Sequence, residues 1–517
     1  MARTQAVVGA AALGLIALSA GWEWNRVEAV ACETSVLQAA APPGAVVTAA
    51  TVVDATDAHP RYCQVDGHTP STGKPEANQV TFRIGLPESW NGKFLFLGVG
   101  GLGGTLPSLD AGIARGYATA TTDTGHQSTD RQWASDPEKV IDYGYRGTHV
   151  AAVAGKAVTG GFYGAAPQFA YFNGCSNGGR QALMEVQRYP EDFDGIIAGH
   201  PATGTPMQVG RAVVYQQMLA SPDNYLTEGA IATLARASVA ACDAADGVED
   251  GLVSDPLACR FDPATLACAD GDTADCLTPG QLATVRQVYG GVRTRNGRTY
   301  AFGFPPGHED GASGWQQWIA GSVPPVPLED GTAGYEGPRL PSGYGLMDFN
   351  FRSLALDTPE PGYGWRGFDV DRDLPRMKTS TRTLTPSDPD LRKFMRRRGK
   401  LLLYHGWSDP GISALGTLDY RNRVVRAVGG QKAADTFLRT YFIPGMHHCG
   451  GGPGPNSFDM LAELERWVEK GEAPGAVIAT RYEDGRAVRS RPLCPHPQKA
   501  RYDGTGSIDD AASFTCR

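Results

Sequence analysis

Short apolar runs alternate with helical or turn segments along two parts of the chain. Between residues 80 and 202, strands are predicted in VTFRIGLP, KFLFLGVGG, GYATATTDTG, QFAYFNGCSNGG and FDGIIAGHPA, and a helix over residues 145–162. After residue 398, strands are predicted in KLLLYHGWSD and TYFIPGMHHCGG, and helices over residues 413–428 and SFDMLAELERWVEK. This alternation predicts an α/β fold with a parallel sheet.

The intervening segment, residues 203–385, does not continue this rhythm. It holds four of the ten cysteines, acidic loops and the Pro, Gly and aromatic-rich stretches GFPPGHEDGASGWQQW and LPSGYGLMDFNFRS. We predict that it is a lid domain inserted into one α/β domain, residues 30–202 and 386–517, because binding residues often lie on insertions held by a rigid scaffold. A disordered linker is the alternative, which paired cysteines and many aromatic residues disfavour.

The N-terminus is typical of a signal peptide. A positive residue, Arg3, precedes the uncharged run AVVGAAALGLIALSA, and small residues follow. The run is shorter than the roughly 20 apolar residues that span a bilayer, so a membrane anchor is the weaker alternative. We predict a signal peptide over residues 1–29, cleaved after Ala20 or near VEAVA, and a secreted or periplasmic protein.

Charge argues against a nucleic-acid partner. The formal net charge is −8, and the densest basic stretch, RKFMRRRGK, directly precedes an apolar run that predicts a strand. No Lys or Arg cluster is large enough to act as a phosphate-binding surface, so this stretch is interpreted as a solvated helix face.

Ten cysteines in an exported chain predict five disulfides. The sequence alone does not fix their pairing, but spacing groups eight of them into four pairs and leaves Cys175 and Cys449 over. The four pairs are Cys32 with Cys63, Cys242 with Cys259, Cys268 with Cys276, and Cys494 with Cys516.

Gly174-x-Ser176-x-Gly178 lies between the strand-like FAYF and the helix-like RQALMEVQRY. A strand, a sharp turn and a helix are the setting in which a serine is exposed as a nucleophile, and glycines fit because a tight turn leaves no room for side chains. Ser176 is therefore the candidate nucleophile. A structural turn and a thiol nucleophile, Cys175, are the alternatives.

A serine nucleophile needs a base and a carboxylate that orients it. YHGWSD places Asp409 after one predicted strand, and GMHHCGG places His447 and His448 after the next. The resulting order of serine, aspartate and histidine is that of α/β-hydrolases. Adjacent side chains diverge, so only one histidine can face Ser176; a core or metal-ligand role is the alternative for either.

The glycine-rich loop GVGGLGG, residues 98–104, predicts part of an oxyanion hole. One backbone N–H donor is expected from Asn177, the residue after the nucleophile, and the second from Gly101, with Gly100 next in preference. A phosphate-binding role for this loop is disfavoured because no Gly-Lys-Ser/Thr follows.

The stretch CDAADGVEDGLVSDP interleaves carboxylates with glycines. Such glycines let backbone carbonyls turn inward, and calcium favours sets of six to eight oxygen ligands. The spacing is not that of an EF-hand, and an acidic turn without metal is the alternative. We predict a structural calcium ion in the lid.

Four motifs together, GCSNGGRQ, YHGWSDPGIS, HHCGGGPGP and DAADGVEDG, resemble the tannase and feruloyl esterase family of secreted α/β-hydrolases. That family also includes the enzyme that hydrolyses mono(2-hydroxyethyl) terephthalate. The resemblance extends from about residue 32 to the C-terminus and implies an α/β-hydrolase fold with a large inserted lid domain. It also implies a Ser176, Asp409 and His448 triad, and a disulfide between Cys175 and Cys449.

The resemblance implies further site residues. His405 matches a position near the substrate, and Arg339 and Arg352 are both candidates for an arginine that holds a substrate carboxylate. The implied calcium ligands are the side chains of Asp243, Asp246 and Asp250 and the carbonyls of Val248 and Leu252.

We predict a secreted serine carboxylesterase that hydrolyses esters of aromatic acids through an acyl-enzyme, without an organic cofactor. Trp315, Trp318 and Phe349 are predicted to flank the aromatic acyl group. The alternatives are a mono(2-hydroxyethyl) terephthalate hydrolase-like enzyme, a thiol hydrolase, and a non-catalytic protein that binds aromatic ligands on a hydrolase scaffold.

Overall fold

The structure, a computed structural model, describes residues 31–74, 76–269, 275–337 and 340–517. The predicted signal peptide, residues 1–29, lies outside the described residues. Within these ranges no helix combines the length and apolar character that crossing a membrane requires.

Helices and strands are numbered in chain order. The strands are β1 Val46–Val53, β2 Tyr62–Pro70, β3 Gln79–Pro87, β4 Lys93–Leu97, β5 Ala118–Thr122, β6 Phe169–Cys175, β7 Gly195–Gly199, β8 Val292–Arg293, β9 Thr299–Ala301, β10 Val326–Pro327, β11 Ala333–Gly334, β12 Lys400–Gly406, β13 Leu438–Ile443, β14 Val477–Glu483, β15 Arg486–Leu493, β16 Ala500–Tyr502 and β17 Phe514–Cys516. The helices are α1 Thr34–Gln38, α2 Asp110–Ile113, α3 Pro137–Ile141, α4 Gly147–Tyr163, α5 Asn177–Arg188, α6 Thr205–Met218, α7 Glu228–Cys242, α8 Pro279–Gly290, α9 Ser342–Ser353, α10 Val370–Asp373, α11 Lys378–Leu384, α12 Arg392–Arg396, α13 Ala414–Val428, α14 Gln431–Ala434 and α15 Met460–Lys470.

A nine-stranded sheet in the order β1-β2-β3-β5-β4-β6-β7-β12-β13 forms the centre of the molecule. The last six strands in this order, β5, β4, β6, β7, β12 and β13, are parallel, as the strand and helix alternation predicts. The prediction of a wholly parallel sheet is wrong at one side, because β3, the strand of VTFRIGLP, pairs antiparallel with both β2 and β5. The α/β architecture itself is confirmed.

The parallel strands bring distant parts of the sequence to one edge of the sheet. The loops that follow β4, β6, β7, β12 and β13 all leave from the carboxyl ends of neighbouring parallel strands. In open α/β sheets this edge is where ligands bind. It therefore collects the glycine-rich loop, the serine turn and the two loops with aspartate and histidine.

A second hydrophobic cluster is formed by buried residues that all lie between positions 209 and 377. Helices α6, α7, α8 and α9 supply about half of it, although this segment gave no clear helical pattern in the sequence. The cluster is separate from the one around the central sheet, which supports a lid with its own core. The boundaries at residues 203 and 385 stay a prediction.

Four disulfides form as the spacing predicts. They are Cys32–Cys63, Cys242–Cys259, Cys268–Cys276 and Cys494–Cys516. The fifth links Cys175 to Cys449, and all ten cysteines lie in described parts of the chain, so none of them is free.

Candidate active site

Ser176 lies on a strained turn between β6 and α5. Its φ of 64° is in the left-handed region, which is uncommon for a residue with a side chain. The flanking glycines permit this turn, because a Cβ on Gly174 would lie 2.4 Å from the carbonyl oxygen of Gly178. The turn holds the Ser176 hydroxyl at the edge of the sheet, as a nucleophile requires.

Ser176, His448 and Asp409 form one series of hydrogen bonds. The Ser176 Oγ lies 2.9 Å from His448 Nε2, and His448 Nδ1 lies 2.9 Å from Asp409 Oδ2. Because a carboxylate only accepts, His448 Nδ1–H donates to Asp409, and Nε2 is left to accept the Ser176 hydroxyl proton. This geometry is that of a general base held in the correct tautomer beside its nucleophile.

The carboxylate of Asp409 is fully buried and accepts from three histidines at one oxygen. His200 Nδ1 is 2.7 Å and His405 Nε2 is 3.0 Å from the Oδ2 atom that His448 also contacts. Burial alone would raise the pKa of Asp409, but the electrostatic interaction with His448 and these hydrogen bonds outweigh it and hold the pKa well below its usual range. Asp409 is therefore ionised at neutral pH.

His200 was not predicted from the sequence. It directly follows β7, in FDGIIAGHPA, and belongs to no motif that would single it out; only its place after a predicted strand could have drawn attention to it. The residue has a φ of 40°, and burial lowers its pKa to about 3, so it is neutral and donates to Asp409.

His405 was predicted to lie near the substrate, and the prediction that it contacts the substrate is wrong. Its side chain is completely buried, and its Nδ1 lies 2.8 Å from the Thr417 hydroxyl, while Nε2 lies between Asp409 and the carbonyl of Ile412. Both ring nitrogens are thus occupied by protein groups. His405 orients the Asp409 carboxylate from the side away from the pocket and does not face the pocket.

His447 points away from Ser176, which resolves the choice between the two adjacent histidines. Its Nδ1 lies 2.8 Å from the hydroxyl of Ser313, and its Nε2 lies 3.0 Å from the carbonyl oxygen of His308. Both partners belong to the segment predicted as the lid. His447 therefore links the histidine loop to the lid, and His448 alone faces the serine.

Cys175 and Cys449 form a disulfide, with Cα atoms 6.1 Å apart. Cys175 directly precedes Ser176 and Cys449 directly follows His448, so the bond joins the serine turn to the histidine loop across 274 residues of sequence. Cys175 has no thiol in this form, which removes the nucleophile that the thiol alternative requires.

The predicted oxyanion donors lie in the same pocket as the serine. Gly101, Ser176 and Asn177 all line a small cavity at the sheet edge. Asn177 is the first residue of α5, where backbone N–H groups have no partner within the helix. The Asn177 side chain donates to the carbonyl of Val99, which fastens the glycine-rich loop beside the start of α5. Gly100 is the neighbouring residue of this loop and does not line the cavity.

Comparison with known proteins decides the family. The profile described as "Tannase and feruloyl esterase" matches residues 63–517, most of the chain. The chain belongs to the tannase and feruloyl esterase family. It is a carboxylic ester hydrolase with the α/β-hydrolase fold, and the resemblance seen in its motifs is confirmed.

Relatives and solved structures support this assignment. An uncharacterised esterase of Xanthomonas campestris is 32% identical over 508 residues, which cover 89% of this chain and 85% of that protein. The mono(2-hydroxyethyl) terephthalate hydrolase of Piscinibacter sakaiensis is 33% identical over 524 residues, with coverage of 88% and 85%. The crystal structure of feruloyl esterase B from Aspergillus oryzae matches with a TM-score of 0.81 and 25% identity, over 93% of this chain and 100% of that one.

The predicted aromatic residues take three different positions in this family member. The Trp318 ring lies edge-on to His448, with centroids 4.5 Å apart, and lines the pocket. Phe349 packs on Trp133 at 5.8 Å, in a cluster that borders the pocket. The prediction for Trp315 is wrong, because it is buried in the lid core against Tyr289, where a substrate does not reach it.

Arg352, one of the two arginines proposed for a substrate carboxylate, does not line the pocket. Arg352 is exposed and pairs with Asp348 at 2.9 Å on the same helix. Arg339 lies outside the described residues. A different arginine, Arg211 on α6, lines the pocket beside Ser176 and was missed, because nothing in its local sequence marks it.

The acidic loop of the lid collects negative charge. Burial raises the pKa of Asp246, and the nearby carboxylates of Asp250 and Asp243 raise it further. Asp243 accepts from the backbone N–H groups of Asp250 and Gly251, at 3.1 and 2.8 Å, and Asp250 also pairs with Arg491. The carboxylates of Asp243, Asp246 and Asp250 thus already accept from protein donors, and the calcium site stays a prediction.

Proposed function

We propose that the protein is an exported serine esterase that hydrolyses esters of aromatic acids through an acyl-enzyme. The observation that carries the proposal is the continuous series of hydrogen bonds from Ser176 through His448 to Asp409, in a pocket that also holds Gly101 and Asn177. The relatives named as feruloyl esterases and as a terephthalate monoester hydrolase support the aromatic acyl group.

In the first step His448 Nε2 takes the Ser176 proton while Ser176 Oγ attacks the ester carbonyl. Asp409 stabilises the imidazolium that forms. The backbone N–H groups of Gly101 and Asn177 stabilise the oxyanion. His448 then returns the proton to the leaving alcohol, and in the second step it activates a water molecule that hydrolyses the acyl-serine.

The pocket around Ser176 suits an acyl group that is flat and carries a hydroxyl. Its lining includes Leu102, Tyr143, Leu354 and Leu384, which offer apolar surface. Asn350 adds a buried side-chain oxygen with no hydrogen-bond partner among the described residues. A phenolic hydroxyl would satisfy this oxygen, which favours hydroxylated aromatic acids over plain aliphatic ones.

Replacing the proposed nucleophile tests the reaction. Ser176→Ala is expected to abolish hydrolysis of methyl ferulate and of a short p-nitrophenyl ester, while the melting temperature stays close to that of the wild type. Substantial turnover by this variant would contradict a serine mechanism. A wild type that hydrolyses no ester, yet binds ferulate, would favour the non-catalytic alternative.

A second candidate, a terephthalate monoester hydrolase, is favoured by the 33% identity to the Piscinibacter sakaiensis enzyme. A panel at matched concentration separates the candidates: methyl ferulate, methyl gallate and mono(2-hydroxyethyl) terephthalate. We expect the highest kcat/KM for a hydroxylated aromatic ester. A clear preference for the terephthalate ester would replace this assignment with the second candidate.

We also propose a structural Ca²⁺ in the lid, held by the acidic loop. The side chains of Asp243, Asp246 and Asp250 would bind it together with the carbonyls of Val248 and Leu252. A bound cation would offset the mutual repulsion of these carboxylates and fasten the loop, and it takes no part in the chemical step.

Export is supported by the disulfides. Five disulfides in one chain are typical of oxidising compartments such as the periplasm or the extracellular space. We propose that the protein is secreted or periplasmic. Loss of activity from the medium and periplasm when residues 1–29 are deleted would support this placement.

A further inference from the structure

Arg211 is a partly buried charged residue without an acidic partner among the described residues. It lies on α6 and lines two cavities at once, the pocket beside Ser176 and a second cavity of about 520 Å³. No carboxylate among the described residues lies within ion-pair distance of its guanidinium. Burial lowers the pKa of Arg211 to about 10, so the group remains positively charged at neutral pH.

Most of the hydrogen-bonding capacity of Arg211 is left for a ligand. One terminal nitrogen donates to the carbonyl of Gly411 at 2.8 Å, and the other donates to the Gln208 side chain at 3.1 Å. A guanidinium carries five N–H donors, so three have no acceptor among the described residues. Asp409, whose negative charge acts on Arg211, already accepts hydrogen bonds from its histidines.

A guanidinium that lines a cavity with unused donors is suited to an anion. Arginine in particular recognises carboxylates with paired N–H donors. The larger cavity has the volume of an ordinary small-molecule site, which falls at roughly 300–1,000 Å³. It is lined by aromatic and aliphatic side chains and, besides Arg211, by the charged residues Arg298, Arg423 and Asp419.

The chemistry of the triad indicates which half of the substrate reaches this cavity. His448 Nε2 returns the proton to the leaving alcohol, so the alcohol oxygen lies beside His448. Trp318 packs on the His448 ring and lines both cavities together with Arg211. The alcohol half of the ester therefore extends past Trp318 toward Arg211 and the larger cavity.

We propose that Arg211 binds a carboxylate on the alcohol half of the substrate, so that the preferred substrates are esters between an aromatic acid and a hydroxy acid. This inference rests on the proposed function, the hydrolysis of aromatic esters at Ser176. It differs from recognition of a carboxylate on the acyl half, which would lie on the other side of the reacting carbonyl.

Matched substrates test the proposal in the wild-type enzyme. 5-O-caffeoylquinate carries a carboxylate on its alcohol half, and its methyl ester is the same molecule without the charge. We expect kcat/KM to be roughly 10- to 100-fold higher for the acid, since hydrogen bonds to charged groups contribute about that much. Monomethyl and dimethyl terephthalate form the corresponding pair with the charge on the acyl half.

Substitutions at Arg211 test whether this residue causes the preference for the acid over its methyl ester. Arg211→Gln should remove the preference for the acid by raising its KM while leaving the methyl ester of caffeoylquinate nearly unaffected. Arg211→Lys keeps a positive charge and should keep part of the preference. Arg352→Gln, which removes an exposed arginine paired with Asp348, is the matched control and should behave as the wild type.

The outcomes separate this inference from the proposed function. Equal rates for caffeoylquinate and its methyl ester would overturn the role of Arg211, while hydrolysis itself would leave the esterase assignment intact. A preference for acid only in the terephthalate pair would also overturn it, because the charge would then lie on the acyl half. If neither caffeoyl ester nor any other ester is hydrolysed, both proposals fail. If Arg211→Gln does not fold, the wild-type comparison and Arg211→Lys still decide.

Discussion

The disulfide between Cys175 and Cys449 should affect catalysis and stability by different amounts. It closes a loop of 274 residues, and in the chain-entropy model the loss of such a link destabilises the folded state by about 5 to 6 kcal/mol, an upper value. The bond also joins the residues next to Ser176 and His448. Replacing both cysteines with serine should therefore loosen the 2.9 Å contact between these side chains and lower kcat roughly 10- to 100-fold.

The double variant Cys494→Ser with Cys516→Ser is the matched control. That disulfide spans 22 residues near the C-terminus, so its removal is expected to cost about 3 kcal/mol without affecting the serine to histidine distance. Urea unfolding gives the loss of stability for each variant, and kcat for methyl ferulate is measured well below the melting transition. If the Cys175 and Cys449 variant keeps full kcat while folded, the disulfide does not position the catalytic groups.

Three further predictions concern charge and metal. Asp409→Asn should lower kcat about 10⁴-fold, because the amide no longer stabilises the imidazolium; a loss below tenfold in steady-state assays would contradict its orienting role. Burial lowers the pKa of His126 to about 4, below the roughly 6.5 of an unfolded chain, so the contribution of neutral His126 is complete above pH 6.5 and declines as the pH falls toward 4. His126→Phe should make stability in urea titrations fall less steeply there, by about 1.4 kcal/mol per pH unit, and an unchanged slope would refute this. Chelation of Ca²⁺ should lower the melting temperature more than it lowers kcat, and an unchanged melting temperature would count against the metal site.

The part of the fold that sequence predicts well is the parallel half of the sheet. Buried strands such as β7 and β12 are short continuous apolar runs, and each ends in a loop whose polar residues stand out. The antiparallel side was missed because β3 is also largely buried and its apolar run does not reveal the direction of its neighbours. The lid helices were missed for a local reason: α9 carries two glycines in SGYGLMDFNFRS, which obscure its helical pattern.

The residues of the candidate site likewise fall into those that the sequence predicts and those that it does not. Ser176, Asp409 and His448 could be predicted because each lies in a short motif at a strand end. His200 and Arg211 could not, since each acts through contacts with residues far away in sequence, and single residues carry no spacing signal. His405 and Trp315 were assigned to the substrate, and tertiary packing buries both of them instead. Catalytic residues that lie in local turns can therefore be predicted from the sequence, and residues whose role depends on tertiary packing cannot.

The central claim is that Ser176 is the nucleophile of an ester hydrolase. Its most direct test is to treat the enzyme with a fluorophosphonate, which reacts with activated serines, and to map the adduct by tandem mass spectrometry. We predict one adduct per chain, on Ser176, formed in step with the loss of methyl ferulate hydrolysis and absent in His448→Ala. An adduct on another residue, or full activity with Ser176 modified, would contradict the account.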